Sequence, residues 1–371
     1  MSGRGQEIAS LLSSPQQPVE EEEVQPKDLA QELIGRQKAR TSLIDFAKFV
    51  DPNYRSYQIH EHIAHKLEAV EAGHIRRLAI FVPPAIGKSR LASEIFPAWF
   101  FGRNPGLEFI VTSYDHDLPK GFGREARNII KHPKFRLIFP EVNVSDDASA
   151  VDSFKTNQGG EFKGEGVGGG LVGFHGNVAI IDDPFKGRAE ASSLSRRKFV
   201  WDWYAGTLVN RLREYKDGPG AIVLIMQRWH DDDLGGRVVK MVGDGQQYWD
   251  IVKVPSLALE EDPLGRAPGE ALLTEGPNKR SREGLLDIQS LNHASFMAVH
   301  QQEPVPDEGE LFKPAWLREY SQDELPKELV VYGCSDHALS KGSGDYTVHI
   351  VFGVCSNNHV WILELWREQC D

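Results

Sequence analysis

Much of the architecture of this chain follows from one segment, Leu78-Ala79-Ile80-Phe81-Val82-Pro83-Pro84-Ala85-Ile86-Gly87-Lys88-Ser89. Its apolar first half is typical of a buried strand, and its second half is typical of a tight turn into a helix that binds phosphate. In such a turn, backbone N–H groups around Gly87 contact phosphate oxygens, Lys88 neutralises the β- and γ-phosphates, and the Ser89 hydroxyl binds Mg²⁺. The segment therefore predicts a site for a nucleoside triphosphate.

The phosphate-binding pattern is degenerate, because the usual motif has its first glycine where Val82 stands. Taken alone, the segment fits an ordinary strand-to-helix turn with a surface lysine equally well. A second signal favours the nucleotide site, namely the apolar run Val178-Ala179-Ile180-Ile181 that ends in Asp182-Asp183-Pro184. Asp182 is predicted to hold Mg²⁺, usually through water, and Asp183 to orient or deprotonate the attacking water. The two segments together predict nucleotide hydrolysis.

A third apolar run, 221–226, also ends in polar residues. We expect its end to lie beside the other two, with Gln227 or Arg228 as the candidate sensor of the γ-phosphate. Asp233 is predicted to cap the helix that follows. His230 is interpreted as a structural histidine.

Size and composition indicate a two-domain protein that does not enter a membrane. The chain has 371 residues, of which 40% are hydrophobic and 26% charged, and a net charge of −12. No apolar stretch approaches the roughly 20 residues that span a bilayer. The three cysteines suit neither a disulfide framework nor a zinc site. Acidic residues concentrate in residues 1–32, whereas basic clusters at 120–136, 196–198 and 279–282 are candidate contacts to a DNA backbone or simply solvated helix faces.

The sequence divides into four regions. Residues 1–40 are predicted to be a mobile acidic tail. Residues 41–258 alternate helical and strand patterns, which predicts a parallel, doubly wound sheet with its ligand at the carboxyl ends of the strands. Residues 259–310 resemble a linker region with one helix near 292–302, and residues 311–371 contain three extended stretches that predict antiparallel strands.

Five segments, in their order along the chain, resemble those of the large terminase subunit of tailed bacteriophages, the motor that packages DNA into a preformed capsid. The first four are Val82-Pro83-Pro84-Ala85-Ile86-Gly87-Lys88-Ser89, Ile180-Ile181-Asp182-Asp183-Pro184, Gln227-Arg228-Trp229-His230-Asp231-Asp232-Asp233-Leu234-Gly235-Gly236-Arg237 and His300-Gln301-Gln302-Glu303-Pro304-Val305-Pro306. The fifth is Ser335-Asp336-His337-Ala338 with Gly344-Asp345-Tyr346-Thr347, and it resembles the opening of the family's nuclease domain. The resemblance covers roughly residues 41–371.

The resemblance implies an α/β fold in which a P-loop (RecA/ASCE-like) ATPase domain precedes the incomplete start of a ribonuclease H-like nuclease domain. The implied catalytic residues are Lys88, Asp183 and, for the nuclease, Asp336. The residues implied to bind ATP are Pro84, Ala85, Ile86, Gly87, Lys88, Ser89, Asp182 and Gln227. Mg²⁺ is implied at Ser89 and Asp182, and Mg²⁺ or Mn²⁺ at Asp336 and Asp345.

The implied partners are double-stranded DNA held by nonspecific backbone contacts, the portal protein and the small terminase subunit. While packaging, such a subunit acts in a homo-oligomeric ring, in the host cell cytoplasm and transiently on the procapsid.

Two departures from the family bear on the chemistry. Many relatives have arginine where Ala85 stands, and a second arginine near residues 173–176, and neither is present here. The candidates for the missing cation are Arg124, Arg127, Arg188 and Arg228. The chain also ends soon after its third extended stretch, where Glu364 is a weak metal-ligand candidate, so we expect a fragment or truncation without appreciable endonuclease activity.

Two other functions remain open from the sequence. A related helicase would need arginine-bearing motifs in a second motor domain, and nothing after Pro255 has that character. A noncatalytic assembly or adaptor protein on a degenerate nucleotide fold would explain Val82, Ala85 and the missing arginines.

Overall fold

The computed structural model describes residues 26–149, 153–171, 173–246, 248–305, 318–337, 346–357 and 359–368. Their strands form one eight-stranded sheet and one three-stranded sheet. The strands of the large sheet are β1 Arg77–Phe81, β2 Glu108–Ser113, β3 Val144–Ser149, β4 Ser153–Thr156, β5 Glu161–Gly166, β6 Val178–Asp182, β7 Ala221–Met226 and β8 Asp250–Lys253. Those of the small sheet are β9 Val330–Asp336, β10 Thr347–Val354 and β11 Val360–Glu368.

The α-helices lie before, between and after the strands of the large sheet. They are α1 Pro26–Thr41, α2 Leu43–Val50, α3 Gln58–Glu71, α4 Phe96–Arg103, α5 Asp117–Lys131, α6 Pro133–Ile138, α7 Arg188–Ser192, α8 Leu194–Trp203, α9 Leu234–Gly243, α10 Arg282–Leu291 and α11 His293–Val299. The helix after the phosphate-binding segment starts as a π-helical turn, Arg90–Ile95, and continues as α4. No helix among the described residues is long and apolar enough to span a bilayer.

The large sheet is mostly parallel, with the strand order β3-β4-β5-β2-β6-β7-β1-β8. The strands from β5 to β8 in this order run parallel, and β3 and β4 add an antiparallel edge. Every residue of β6 and β7 is buried, as expected for parallel strands covered on both faces. The prediction of a parallel, doubly wound sheet is therefore confirmed.

Two apolar clusters lie on opposite faces of the large sheet. Alternate residues of β1 belong to different clusters, Leu78 and Ile80 to one, Ala79 and Phe81 to the other. The first cluster holds the largest group of aromatic rings, and Phe100 lies among them, with its ring centroid 5.0 Å from that of Phe109. The central strands of the sheet are therefore covered on both faces.

The structure corrects the predicted tail boundary. Residues 1–25 lie outside the described part of the chain, but residues 26–41 form α1. The end of α1 packs onto the domain, because Ala39 is fully buried and its carbonyl accepts a hydrogen bond from Trp99 Nε1 at 3.1 Å. The Arg40 side chain donates to the carbonyl of Ile138 at 2.7 Å.

The predicted linker region is also corrected, because parts of it are buried in the fold, and Leu264 and Leu273 belong to the first apolar cluster. Leu257, Ala271, Leu285 and Phe296 form a third apolar cluster. The side-chain amide of Gln301 both accepts from and donates to the backbone of Leu257, each bond being 3.1 Å long. The predicted helix near 292–302 is shorter in the structure, as α11.

The three C-terminal strands are antiparallel, as predicted, with β10 in the middle. Strand β9 reaches Asp336, and β11 reaches Glu368. The ribonuclease H-like fold itself stays a prediction, because three antiparallel strands are common to many folds.

Phe100→Ala is expected to lower the free energy of unfolding by about 3–5 kcal/mol, because it leaves a cavity among close-packed rings. Urea titration followed by fluorescence measures this loss. The matched control is Leu291→Ala, since Leu291 is 85% exposed, and it is expected to change stability by less than about 0.5 kcal/mol. Equal effects of the two substitutions would contradict this packing.

Candidate functional site

The ends of three neighbouring strands form the candidate site. Strand β7 lies between β6 and β1, and all three run parallel. Backbone hydrogen bonds continue past the strands, from the N–H of Val82 to the carbonyl of Met226 at 3.3 Å and from the N–H of Asp183 to the carbonyl of Ile225 at 2.9 Å. The polar residues that follow each strand are therefore brought together, as the sequence predicted.

The phosphate-binding segment forms a left-handed turn where β1 leads into its helix. Ala85 has a φ of 62° and Gly87 a φ of 85°, and both are exposed. Residues in this conformation turn successive backbone N–H groups towards one side, which makes a concavity suited to anions. Val82 is fully buried and still bonded to β7, so the turn starts after the position where the usual motif has its first glycine.

Asp182 is the most deeply buried acid of the site, with 1% of its surface exposed. Its carboxylate accepts hydrogen bonds from Ser89 Oγ at 3.1 Å and from Ser93 Oγ at 2.5 Å. Burial raises the pKa of Asp182, and the neighbouring charge of Asp183 raises it further, while Lys88 and the two hydroxyls act in the opposite direction. A cation placed here would favour the charged carboxylate.

Asp183 follows β6 and contacts a residue that follows each of the other two strands. Its Oδ2 pairs with Lys88 Nζ at 2.8 Å, and its Oδ1 accepts a hydrogen bond from the backbone N–H of Gln227 at 3.2 Å. Its φ of 45° places it in the left-handed region, which aspartate tolerates better than most residues. The two predicted catalytic groups, Lys88 and Asp183, are thus each other's partners in this structure.

The two candidate γ-phosphate sensors after β7 differ in the hydrogen bonds that their side chains make. Gln227 Oε1 is buried and has no hydrogen-bond partner among the described residues. Arg228 is 6% exposed, and its Nε bonds to Asp233 at 2.9 Å while its guanidinium lies over the ring of Phe81. Arg228 is therefore a structural residue, and the interpretation of it as a sensor or catalytic cation is corrected.

Asp233 caps α9, as predicted, by accepting a hydrogen bond from the N–H of Gly236 at 2.7 Å. Of the other candidate cations, Arg124 and Arg188 are exposed, and Arg127 is half-buried on α5.

Two residues of the site were not identified from the sequence. Ser93 follows Ser89 by one helical turn, and that spacing is a signal that the two hydroxyls share a face. His60 on α3 lies against the phosphate-binding turn, where its Nε2 is 2.6 Å from the carbonyl oxygen of Ile86. Nothing in the sequence indicates this contact, because the two residues belong to different elements.

The predicted nuclease residues are only partly described. Asp336 ends β9, opposite Val348 of β10, and is exposed. Asp345 lies outside the described residues, and Glu364 pairs with Val351 in the β10–β11 ladder. In the described ranges, no group of three or more His, Cys, Asp or Glu side chains is placed to hold a metal ion. The metal site at Asp336 stays a prediction.

Comparison with known proteins gives one informative match. Residues 80–319 match the family described as terminase large subunit, T4-like virus type, N-terminal. This range is more than half of the chain and includes the whole candidate ATP site from Pro84 to Gln227. No curated relative matches the sequence.

Solved structures give weaker similarities. The large terminase of a thermophilic bacteriophage aligns with 11% identity and a TM-score of 0.36, covering 82% of this chain and 68% of that chain. The same protein in complex with ATP-γ-S aligns with 8% identity and a TM-score of 0.35, covering 82% and 67%. A mutant ATPase domain of the large terminase of Thermus phage P74-26 aligns with 14% identity and a TM-score of 0.42, covering 72% and 100%. Similarities this low carry no argument beside the family match.

Asp233→Ala is expected to destabilise the domain by about 3–5 kcal/mol, because it leaves the Arg228 charge buried without its partner. Thermal and urea unfolding measure this loss. Asp231→Ala is the control, since the Asp231 side chain is 44% exposed and pairs with His230 at the surface, and it should cost no more than about 1 kcal/mol. A loss below about 1 kcal/mol for Asp233→Ala would contradict a structural role for the buried pair.

Proposed function

This chain belongs to the terminase large-subunit family, and we propose that it hydrolyses ATP to drive double-stranded DNA into a procapsid. One observation carries the proposal. Lys88, Ser89, Asp182, Asp183 and the backbone of Gln227 meet at one edge of the large sheet, joined by contacts of 2.8 to 3.2 Å. This edge is where parallel α/β sheets bind their ligands.

Binding of ATP exchanges the partners of the charged residues in this proposal. The γ-phosphate replaces Asp183 as the partner of Lys88, whose side chain is only 8% exposed and has little freedom to move elsewhere. Asp183 then keeps its hydrogen bond from Gln227 and gains a free carboxylate oxygen. That oxygen orients or deprotonates the water that attacks the γ-phosphate.

Mg²⁺ fits the oxygen atoms beside Lys88. Ser89 Oγ and Asp182 Oδ1 lie 3.1 Å apart, and Mg²⁺ binds few protein oxygens while keeping waters and substrate phosphates. Ser89 and Asp182 would hold the ion, and Ser93 would keep the buried carboxylate in place. When bound, the ion neutralises charge on the phosphates.

Coupling to DNA is proposed from membership of the family and from exposed basic side chains that lie outside the site. Arg124 and Lys131 on α5 and Arg136 on α6 are exposed, and contacts of this kind hold a DNA backbone without reading its sequence. The portal protein, the small subunit and a homo-oligomeric ring in the host cytoplasm complete the proposed packaging machine.

The alternatives are distinguished by activity. A noncatalytic adaptor would bind or ignore ATP without turnover, although its site would not need both Asp183 and Lys88. A helicase would need a second motor domain, whereas the residues described after 318 form three antiparallel strands.

Lys88→Ala is expected to reduce ATP turnover at least about a hundredfold while leaving the fold intact, because it removes the charge that contacts the phosphates. Turnover is measured with and without DNA, and circular dichroism checks the fold. Lys48→Ala, which removes an exposed lysine on α2, should retain wild-type turnover. Near wild-type turnover by Lys88→Ala would overturn the assignment of the phosphate-binding turn.

The two acids are expected to give separable defects. Asp183→Asn should retain ATP·Mg²⁺ binding but lose hydrolysis, because it releases Lys88 from the ion pair and removes the charge that orients water. Asp182→Asn should weaken the Mg²⁺-dependent part of binding itself. Titration with a fluorescent ATP analogue, with and without Mg²⁺, separates the two, and equal loss of binding in both variants would indicate a structural turn.

A further inference from the structure

Residues 51–60, which include the start of α3, contact both the phosphate-binding turn and the start of the helix that follows it. At the turn itself, His60 Nε2 lies 2.6 Å from the carbonyl oxygen of Ile86. One turn later, Arg90 pairs with Asp51 at 2.5 Å, and its guanidinium lies 5.9 Å from the ring centroid of Tyr54. Residues 51–60 therefore form a brace for the turn and for the start of its helix.

The hydrogen bonds of His60 identify its tautomer. Its Nδ1 accepts a hydrogen bond from the backbone N–H of Tyr57 at 2.9 Å. The proton of the neutral ring is therefore on Nε2, which donates to the carbonyl of Ile86. His60 is 4% exposed, and burial lowers its pKa, although the bond to Ile86 and the charge of Glu61 act in the opposite direction. Only the neutral ring satisfies both contacts.

This bond also determines where the next backbone N–H points. The carbonyl of Ile86 and the N–H of Gly87 belong to one planar trans peptide, so they point in opposite directions. Because the carbonyl points to His60 on α3, the N–H of Gly87 points away from α3, to the exposed side of the turn. Ile86 itself is 6% exposed.

Loss of the donor would leave the carbonyl of Ile86 without its partner. A buried carbonyl without a hydrogen-bond donor is unfavourable, and rotation of the Ile86–Gly87 peptide would relieve the loss. Rotation would bring a carbonyl oxygen to the side where the N–H had pointed. Negative phosphate oxygens are repelled by a carbonyl and attracted by an N–H.

We propose that His60 is a positioning residue, which fixes the Ile86–Gly87 peptide so that the N–H of Gly87 faces the phosphates of ATP. The inference rests on the proposed ATPase function and adds to it a residue from outside the phosphate-binding segment. It also explains why a turn with Ala85 and Val82 in place of the usual residues holds a binding conformation.

A matched pair of substitutions in the full chain tests the role of His60. In His60→Gln, the side-chain amide nitrogen reaches the place of Nε2 and can still donate to Ile86. In His60→Asn, the shorter side chain reaches only the place of Nδ1, so it keeps the contact to Tyr57 and loses the one to Ile86. Both variants remove the buried ring, and thermal unfolding of each checks that it folds.

The expected result is a difference in ATP binding between these two variants. His60→Asn should raise the Kd for a fluorescent ATP analogue about tenfold, which is what a lost hydrogen bond of about 1.4 kcal/mol gives. His60→Gln should stay within about threefold of the wild type. Equal Kd values for the two variants, with the wild type binding normally, would overturn this inference but not the proposed ATPase function.

Two further results distinguish a failure of the proposed ATPase function from a failure of the inference about His60. Failure of the wild type itself to bind ATP would contradict the proposed function and this inference with it. If the variants do not fold, ¹⁵N NMR of histidine side chains in the wild-type chain decides instead. His60 is expected as the Nε2–H tautomer, and the Nδ1–H tautomer or a protonated ring at neutral pH would overturn the inference.

Discussion

A carboxylate removed almost completely from water holds this site together. Asp182 ends β6, and the hydroxyls of Ser89 and Ser93 bond to its two oxygens. An uncompensated buried carboxylate is unfavourable, so the helix that carries both hydroxyls must stay against the end of β6. The position of that helix fixes the phosphate-binding turn before it. Lys88, at the first turn of the helix, is thereby brought to Asp183.

The same edge of the sheet is connected to the segment that leads towards the C-terminal strands. The backbone N–H of Gln227 bonds to Asp183, and the next N–H, of Arg228, bonds to the side chain of Gln302 at 3.0 Å. Gln302 has a φ of 60° and is almost fully buried. The motif that contains His300, Gln301 and Gln302 therefore packs at the edge of the large sheet, where it holds the following segment close to Asp183.

Much of the fold was predictable because its determinants are local. The apolar runs that form β1, β6 and β7 and the polar residues after them predicted a parallel sheet with its site at the carboxyl edge. Strands β3, β4 and β5 were missed, since they are short and polar and carry no apolar run. The tail boundary was misplaced for a related reason, because α1 is polar over most of its length and is held by contacts near Ala39.

The site was predictable as a set of residue types but not as a set of contacts. Ser89, Asp182, Asp183 and Lys88 belong to recognisable patterns, whereas the ion pair between the last two depends on the strand order. His60 has no pattern at all, because its role comes from the packing of α3 against the turn. Arg228 has a recognisable pattern, because it follows a strand at this edge of the sheet, but the pattern does not give its role. An arginine at such a place is catalytic in some proteins, whereas here it pairs with the buried Asp233.

The most direct measurement is a crystal structure of the protein with Mg²⁺ and a nonhydrolysable ATP analogue. Lys88 Nζ lies 2.8 Å from Asp183 in the present structure. The account predicts that Lys88 leaves Asp183 for the β- and γ-phosphates, that the N–H of Gly87 faces a phosphate oxygen, and that Ser89 and Asp182 lie beside the ion. A bound nucleotide with the Lys88–Asp183 pair intact, or phosphates placed away from the turn, would contradict it.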